Sequence, residues 1–496
     1  MAAVVSSGRN AGGSGRAAFA GVQTDRSSLN RKVLKPVMKN RRTPGQRPPA
    51  HQSNRNPWPR STRSDDRPSE SYESPRAPLE TGSQMIRQRD QLGPRSSESI
   101  PAVMVKSRSL HPLIYRKRID TAGTAKAGDL VAVYAPEEQQ PFAYGLYNSR
   151  SELALRLLWH TSELPTEETW LARLQTAVAL RRDTLKLESQ TTAWRVVHAE
   201  SDGMSGLVID YFAGVLSAEA FSLGMYQRGA LLLPMLGNLL GAQHWLLRTS
   251  PQFLSQEGCD PPQLTSEGCP GNVIIHEHGT RFRVRFEGGH KTGFFCDQRE
   301  NRRRLADFCT GKSVLDLCCY TGGFSVQAKT LGNAEDVTGV DLDEDPLKVA
   351  RENANLNQAR VRFVQADIFS YMREMIRNQR QFDVVVLDPP KLIRSRMEIE
   401  DGTKKHYAMN RLAMRLVKPG GLLVSCSCAG LLSEPEFVQL LAAAARSSGD
   451  DIEAMGGTSG PRSFQIIAKT GAASDHPILS GCPETEYLKA VWMIMQ

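Results

Sequence analysis

The chain has 496 residues, 40% hydrophobic and 23% charged, which is too long for one ordinary domain and has the composition of a soluble protein. Of its net charge of +9, residues 1–100 hold +10 and the remaining 396 hold −1, so the high isoelectric point does not describe the folded body. No run of about 18 apolar residues occurs, which excludes a transmembrane helix, and residues 1–25 lack the central apolar stretch of a secretory signal.

Residues 1–100 are rich in Arg, Ser, Pro and Gly. Too little apolar surface is available to offset the entropy of ordering them, so a disordered basic tail is expected. It reads as a solubilising tail or a polyanion-holding one, with an organellar transit peptide as a further option because no acid precedes Asp25. Order is expected from near Ile100. Residues 128–158 alternate apolar and polar side chains, suggesting a small β-rich module over 101–162, and residues 163–188 have the helical period of one linking helix, bounded as 163–190. Residues 191–289 combine strand-like stretches with an apolar helical one, the pattern of a small α+β domain.

From Asn301 onward the pattern becomes strand–helix alternation. Strand candidates are Ser313–Leu317, Val337–Asp341, Val361–Gln365, Phe382–Leu387 and Gly421–Ser425, separated by helical stretches. This predicts an α/β fold, a doubly wound parallel sheet over 290–496. Nine cysteines form an odd set without C-x-x-C, so reduced thiols in a cytosolic compartment are expected and a metal is not. A cluster of Cys318–Cys319 with Cys426 and Cys428 is the metal-binding alternative.

In such sheets ligands bind beyond the carboxyl ends of the strands. The first of these strands carries Asp316 and leads into a bend with Gly322 and Gly323. The second ends in Asp341, the third leads to Asp367 and the fourth to Asp388 in "LDPPK". Each acid alone is also a common helix N-cap. There is no G-x-G-x-x-G and no phosphate loop, and a rim of carboxylates repels a pyrophosphate. It suits a ligand with hydroxyls, an amine and a cationic centre, which describes S-adenosylmethionine (AdoMet).

"VLDLCCYTGGFS", "VDLDEDPLKVARENANLN", "VLDPPKL", "KPGGLLVSCSC" and "DHPI…PETEYLKAVW" resemble the bacterial ribosomal RNA large-subunit methyltransferase I family. "HKTGFFCDQRENRR", "RVVHAESDGMSGLVIDY" and "GDLVAVY…AYGLYNSRSELALRLL" extend the resemblance upstream to about residue 105. It implies a class I (Rossmann-like) AdoMet-methyltransferase domain, preceded by a PUA-like RNA-binding domain and a central domain. It also implies the product 5-methylcytosine in 23S rRNA. By position, Asp316, Tyr320, Gly322 and Gly323 would line the methionine part of AdoMet. Asp341 would take the ribose hydroxyls and Asp367 the adenine amine. Asp388 would border the cofactor and the target base, and Cys426 would be the nucleophile.

Cytosine C5 is a poor nucleophile, and a thiolate adding to C6 activates it. Cys426 therefore selects the reaction class, while Cys428 reads as packing. Lys291, Arg299, Lys391, Arg394 and Arg396 lie near the predicted cleft and are candidate phosphate contacts. Ribosomal RNA is the expected partner, in the cytoplasm, with no membrane and with a homodimer allowed. The alternatives are a similar fold acting on another base, such as guanine N7, and a noncatalytic ribosome-assembly factor.

Overall fold

The computed structural model describes residues 86–94, 100–286, 293–449 and 460–496. Most of the expected tail (1–85 and 95–99) and Lys291 lie outside the described residues. Within the stretch expected to be disordered, residues 86–94 are packed. Leu92 is 2% exposed, the Arg89 amide donates to the Gln227 carbonyl at 2.7 Å, and its guanidinium pairs with Asp129 at 2.9 Å. One leucine and one arginine with distant partners suffice here, and an average over 100 residues hides them.

The first module is a six-stranded sheet in the order β2-β6-β5-β4-β1-β3. Its strands are β1 (Ala102–Val105), β2 (Leu113–Ile114), β3 (Ile119–Thr121), β4 (Leu130–Tyr134), β5 (Ala143–Tyr147) and β6 (Leu155–Trp159). Alternation along β4 explains its burial on both faces. Val131 and Val133 enter the module's own core, while Leu130 and Ala132 join a core shared with the next module.

The expected linking helix is a 13-residue helix, α1 (Glu167–Ala179), followed by a π-type turn over Leu180–Thr184. That turn directs Arg181 inward, where it is 1% exposed and pairs with Asp202 at 2.6 and 2.8 Å.

The central module has the strand order β11-β10-β9-β8-β7. Its strands are β7 (Ala193–His198), β8 (Leu207–Phe212), β9 (Val215–Ala220), β10 (His244–Thr249) and β11 (Leu264–Thr265). Helices α2 (Leu223–Tyr226), α3 (Gly229–Leu240) and α4 (Phe253–Glu257) lie between its later strands, and the hairpin β12 (Asn272–Glu277)–β13 (Thr280–Arg285) follows.

The last module is a seven-stranded sheet in the order β16-β15-β14-β17-β18-β20-β19. It comprises β14 (Ser313–Leu317), β15 (Asp336–Asp341), β16 (Arg362–Gln365), β17 (Phe382–Leu387), β18 (Val417–Ser427), β19 (Phe464–Thr470) and β20 (Lys489–Met495). Helices α5 (Arg299–Ala306), α6 (Gly323–Thr330), α7 (Glu344–Leu356), α8 (Ile368–Arg377), α9 (Ile399–Arg415) and α10 (Glu434–Arg446) alternate with it. β14 to β18 run parallel, whereas β20 is antiparallel to β18 and β19 to β20. The chain leaves β14 toward β15 on one side and returns as β17 on the other, so the switch point lies between β14 and β17. Among the described residues, no helix is long and apolar enough to cross a membrane.

Candidate active site

Register sets the level of each rim residue. Leu317 is level with Val340 and with Leu387, and Leu387 is level with Ser425. One residue further, Cys318, Asp341, Asp388 and Cys426 therefore form one row across β15, β14, β17 and β18. Asp316 lies two residues deeper than that row. Asp367 lies two residues beyond Gln365, the partner of Asp341.

Asp316 is 1% exposed, and its Oδ2 accepts from the Ser325 amide at 3.0 Å and the Ser325 hydroxyl at 2.6 Å. This ties β14 to the start of α6. Its Oδ1 is buried and has no hydrogen-bond partner among the described residues. Burial pushes the carboxyl up to about 6. A buried acceptor without a donor is costly, and the ammonium group of a ligand supplies one.

The turn after β14 is tight. Cys318, Tyr320 and Gly322 all have positive φ, of 62°, 49° and 78°. A Cβ on Gly322 would stand 3.0 Å from the Phe363 ring and 3.2 Å from the Ala350 Cβ, and one on Gly323 would stand 3.0 Å from Arg302. Those neighbours and the left-handed φ account for both glycines without a ligand. The Asp341 carboxylate accepts from the Tyr320 amide at 2.8 Å and from the Asp343 amide at 3.1 Å, so it holds the turn and stays half-buried at the rim. Asp367 is exposed and caps α8, its Oδ1 accepting from the Ser370 amide at 2.9 Å. A capping role is thus occupied there, with or without adenine.

Asp388 is half-buried, and its Oδ2 accepts from the Gln298 side-chain amide at 3.0 Å. Burial, then the neighbouring Asp297, pushes this carboxyl up to about 7. Gln298 is in turn held by Asn301, whose amide donates to it at 2.6 Å. Neither Gln298 nor Asp297 was singled out from the sequence. Their signal was a run of polar residues directly after Phe294-Phe295-Cys296, where a helix was beginning.

The two cysteines that end β18 differ. Cys426 is 0% exposed, packed with Val424, Ala490 and Trp492. Burial first, then Asp388, pushes its thiol well above the usual range. Cys428 follows the last residue of the strand and is half-buried. Lys489, 6% exposed, donates to the adjacent Ala429 carbonyl at 2.7 Å. Burial lowers this ammonium, while Cys428 acts in the opposite sense. A cation beside a thiol favours the thiolate. The sequence signal for Lys489 was a single charge opening an apolar strand.

The candidate phosphate contacts separate into two groups. Lys391, Arg394 and Arg396 are exposed on the segment after Asp388. Arg299 is corrected: it is 0% exposed and grips Asp475 through two hydrogen bonds of 2.9 Å. It points into the protein because it opens α5 on the face that packs inward. Groups of three metal-capable side chains within 4.8 Å of one another occur, among the described residues, at His111, Cys482 and Glu484 and not at Cys318, Cys319, Cys426 and Cys428.

The chain is similar to known proteins over most of its length. Residues 203–455 match the family of S-adenosylmethionine-dependent methyltransferases, and residues 105–159 match PUA-like domains. The ribosomal RNA large subunit methyltransferase I of Aeromonas hydrophila subsp. hydrophila is 34% identical over 405 residues, covering 80% of this chain and 98% of that protein. Its namesake in Photobacterium profundum is 33% identical over 402 residues, covering 79% and 98%. A methyltransferase solved with SAH superposes with a TM-score of 0.66, and a SAM-dependent methyltransferase from Streptococcus mutans with 0.64. Both cover 80% of this chain and all of theirs at 18% identity, a likeness of fold.

Proposed function

We propose, for a chain that belongs to the family of ribosomal RNA large subunit methyltransferase I, that the methyl group it transfers to ribosomal RNA goes to C5 of cytosine. The chain is an AdoMet-dependent rRNA methyltransferase. AdoMet, when bound, supplies an electrophilic methyl group on a sulfonium. Asp316 would hold its amino-acid end through the unpartnered Oδ1, with Tyr320, Gly322 and Gly323 forming the turn around it. Asp341 would hold the ribose, and Asp367 would stand at the adenine.

One observation carries the choice of C5: a thiol stands on the rim one strand away from Asp388, and methylation at an amine or a ring nitrogen has no use for it. The thiolate bonds to C6, and the ring electrons move to C5. C5 then forms its bond to the methyl carbon as the sulfonium–carbon bond breaks. Loss of the C5 proton to solvent and expulsion of the thiolate restore the ring. Asp388, held by Gln298, accepts from the base's amine or, protonated, donates to its ring nitrogen.

Geometry favours Cys428 over the expected Cys426 as the attacking thiol. Cys426 has no exposed surface, and burial and Asp388 disfavour its thiolate against the opposing hydrogen bond from Gln298, whereas Cys428 is half-buried and directly follows Ser427, with which Lys489 is level. The second reading keeps Cys426, supported by its place in the same row as Asp388. Lys391, Arg394 and Arg396 would contact phosphates, and nine reduced thiols support a cytoplasmic site of action. The test is to map modified bases in large-subunit rRNA after reaction with the full chain. A 5-methylcytosine is expected, and a methylated guanine with no modified cytosine overturns the reading.

A further inference from the structure

Four polar side chains, His406, Asn410, Ser425 and Ser427, lie buried where α9 packs on β18, and the covalent mechanism uses none of them. Their surroundings are apolar, with Met409, Leu412, Leu423 and Phe437 in the same core. His406 and Asn410 are one helical turn apart on α9, while Ser425 and Ser427 flank Cys426 on β18. Each pair therefore shares one face of its element. The two faces meet: the Ser425 hydroxyl donates to Asn410 Oδ1 at 2.6 Å, and the Ser427 hydroxyl lies 3.3 Å from His406 Nε2. The Asn410 side-chain amide donates to the His406 carbonyl at 2.8 Å and joins the two contacts.

This ladder ends at the thiol that geometry favours as the nucleophile. Ser427 closes β18, and its hydroxyl oxygen accepts from the Ala429 amide at 3.4 Å. The Ala429 carbonyl accepts from Lys489 at 2.7 Å and from the Leu432 amide at 3.2 Å. Ser427 and Ala429 are both fully buried. Half-buried Cys428 thus stands between a residue held through its hydroxyl and one held through both backbone groups.

Stability alone does not explain the histidine. Its ring packs edge-on against Phe437 of α10 at 5.6 Å, and its Nδ1 is buried with no hydrogen-bond partner among the described residues. A phenylalanine would fill this place without an unmade hydrogen bond. Burial, then Lys489, pushes the imidazole down to about 4, so the ring stays neutral. What it supplies in this core is Nε2, and Nε2 is turned to Ser427. Buried as they are, His406 and Ser427 touch neither RNA nor AdoMet, so any part they take in the reaction is exerted through the turn.

We propose that His406 and Ser427 are positioning residues for methyl transfer: the imidazole fixes the Ser427 hydroxyl, the hydroxyl holds the Ala429 amide, and the turn so shaped aims the Cys428 thiol. The inference rests on the reading of Cys428 as the nucleophile and adds to it the residues that place that thiol. Bond formation tolerates little misplacement, and a displacement of about 1 Å costs on the order of 100-fold in rate. Asn410 and Ser425 hold the helix to the strand one step behind, which sets the level at which His406 meets Ser427.

The test is the single-turnover rate at which the full chain forms an adduct with large-subunit rRNA carrying 5-fluorocytosine, at saturating AdoMet and RNA. Ser427→Ala and His406→Phe are expected to form it ~10–100-fold more slowly, with AdoMet affinity within about 3-fold of wild type. Alkylation of Cys428 by iodoacetamide without RNA, read by peptide mass, is expected to stay within about 3-fold, because the thiol is displaced and not deactivated. Ser427→Ala, which removes a single oxygen, decides the matter if His406→Phe loses AdoMet binding. Adduct formation at the wild-type rate in either folded variant overturns the positioning pair and leaves Cys428 standing as the nucleophile. So does a fall in alkylation that matches the fall in adduct formation, since the pair would then set the thiol's reactivity and not its place. An adduct from Cys428→Ala, or none from wild type, overturns the reading of Cys428 and this inference with it.

Discussion

The Gln298 side-chain amide donates to the Asp388 carboxylate at 3.0 Å, joining the segment before α5 to the end of β17. Gln298 is 4% exposed and anchored by Asn301, so it fixes the direction of Asp388 as a positioning residue. Gln298→Ala is expected to lower single-turnover transfer by ~10–100-fold with AdoMet affinity within about 3-fold. Gln298→Glu puts a second carboxylate against Asp388 and should be worse than Ala. Restoration of Gln at an intact Asp388 recovers the rate.

Asp388 gives a stability signature whose sign follows from burial. Its carboxyl is pushed up to about 7 from an ordinary value of 3.8. The folded state then binds the proton more tightly than the unfolded state. The resulting penalty is absent below the unfolded value, grows as pH rises and is complete above about 7. Asp388→Asn removes it, and thermal unfolding at pH 8 should shift upward by ~2 °C or more. At pH 4 the two proteins should unfold at the same temperature. Thermal denaturation at the two pH values checks this.

Asp475 behaves in the opposite way. Burial alone would raise its carboxyl, but His476 and Arg299 hold it far below the usual range. It accepts from Arg299 twice at 2.9 Å and from the Arg195 backbone at 2.8 Å, so it ties the central sheet to α5. Its stabilisation is present above the unfolded value of about 4 and is lost as pH falls below it. Asp475→Asn leaves Arg299 buried without its counter-charge and should cost ~3–5 kcal/mol at pH 7. The difference should narrow below pH 4, as read by denaturant unfolding at several pH values.

At the cofactor end, Asp341 is half-buried and level with Asp388 in the rim, whereas Asp367 is exposed and occupied as a helix cap. Asp341→Ala is expected to weaken AdoMet binding by ~10–100-fold, the worth of hydrogen bonds to a charged group. Asp367→Ala is expected to weaken it by less than ~10-fold and to lower stability by about 1 kcal/mol through the lost cap. Calorimetry with AdoMet and denaturant unfolding measure both.

The switch-point crevice was legible in the sequence because strand-ending acids recur at the period of an α/β fold, and register puts Asp341 and Asp388 level as that reading requires. Depth was not legible. Asp316 sits two residues below the row because the bend begins one residue after β14, and a linear spacing does not reveal where a strand stops. Arg299 read as a surface charge because its partner Asp475 lies 176 residues away. The terminal strands β19 and β20 were missed for a similar reason: β20 pairs with β18 across a long connection, and that pairing sets Lys489 level with Ser427, the residue before Cys428.

The central claim is covalent catalysis on cytosine by Cys428. Ribosomal RNA carrying 5-fluorocytosine blocks the final loss from C5 and leaves the thiolate bonded to C6. Wild type, Cys426→Ala and Cys428→Ala are mixed with this RNA and AdoMet, and the protein–RNA adduct is resolved on denaturing gels. The account predicts an adduct with wild type and with Cys426→Ala and none with Cys428→Ala, while all three bind AdoMet within about 3-fold. An adduct with Cys428→Ala, or none with wild type, contradicts it.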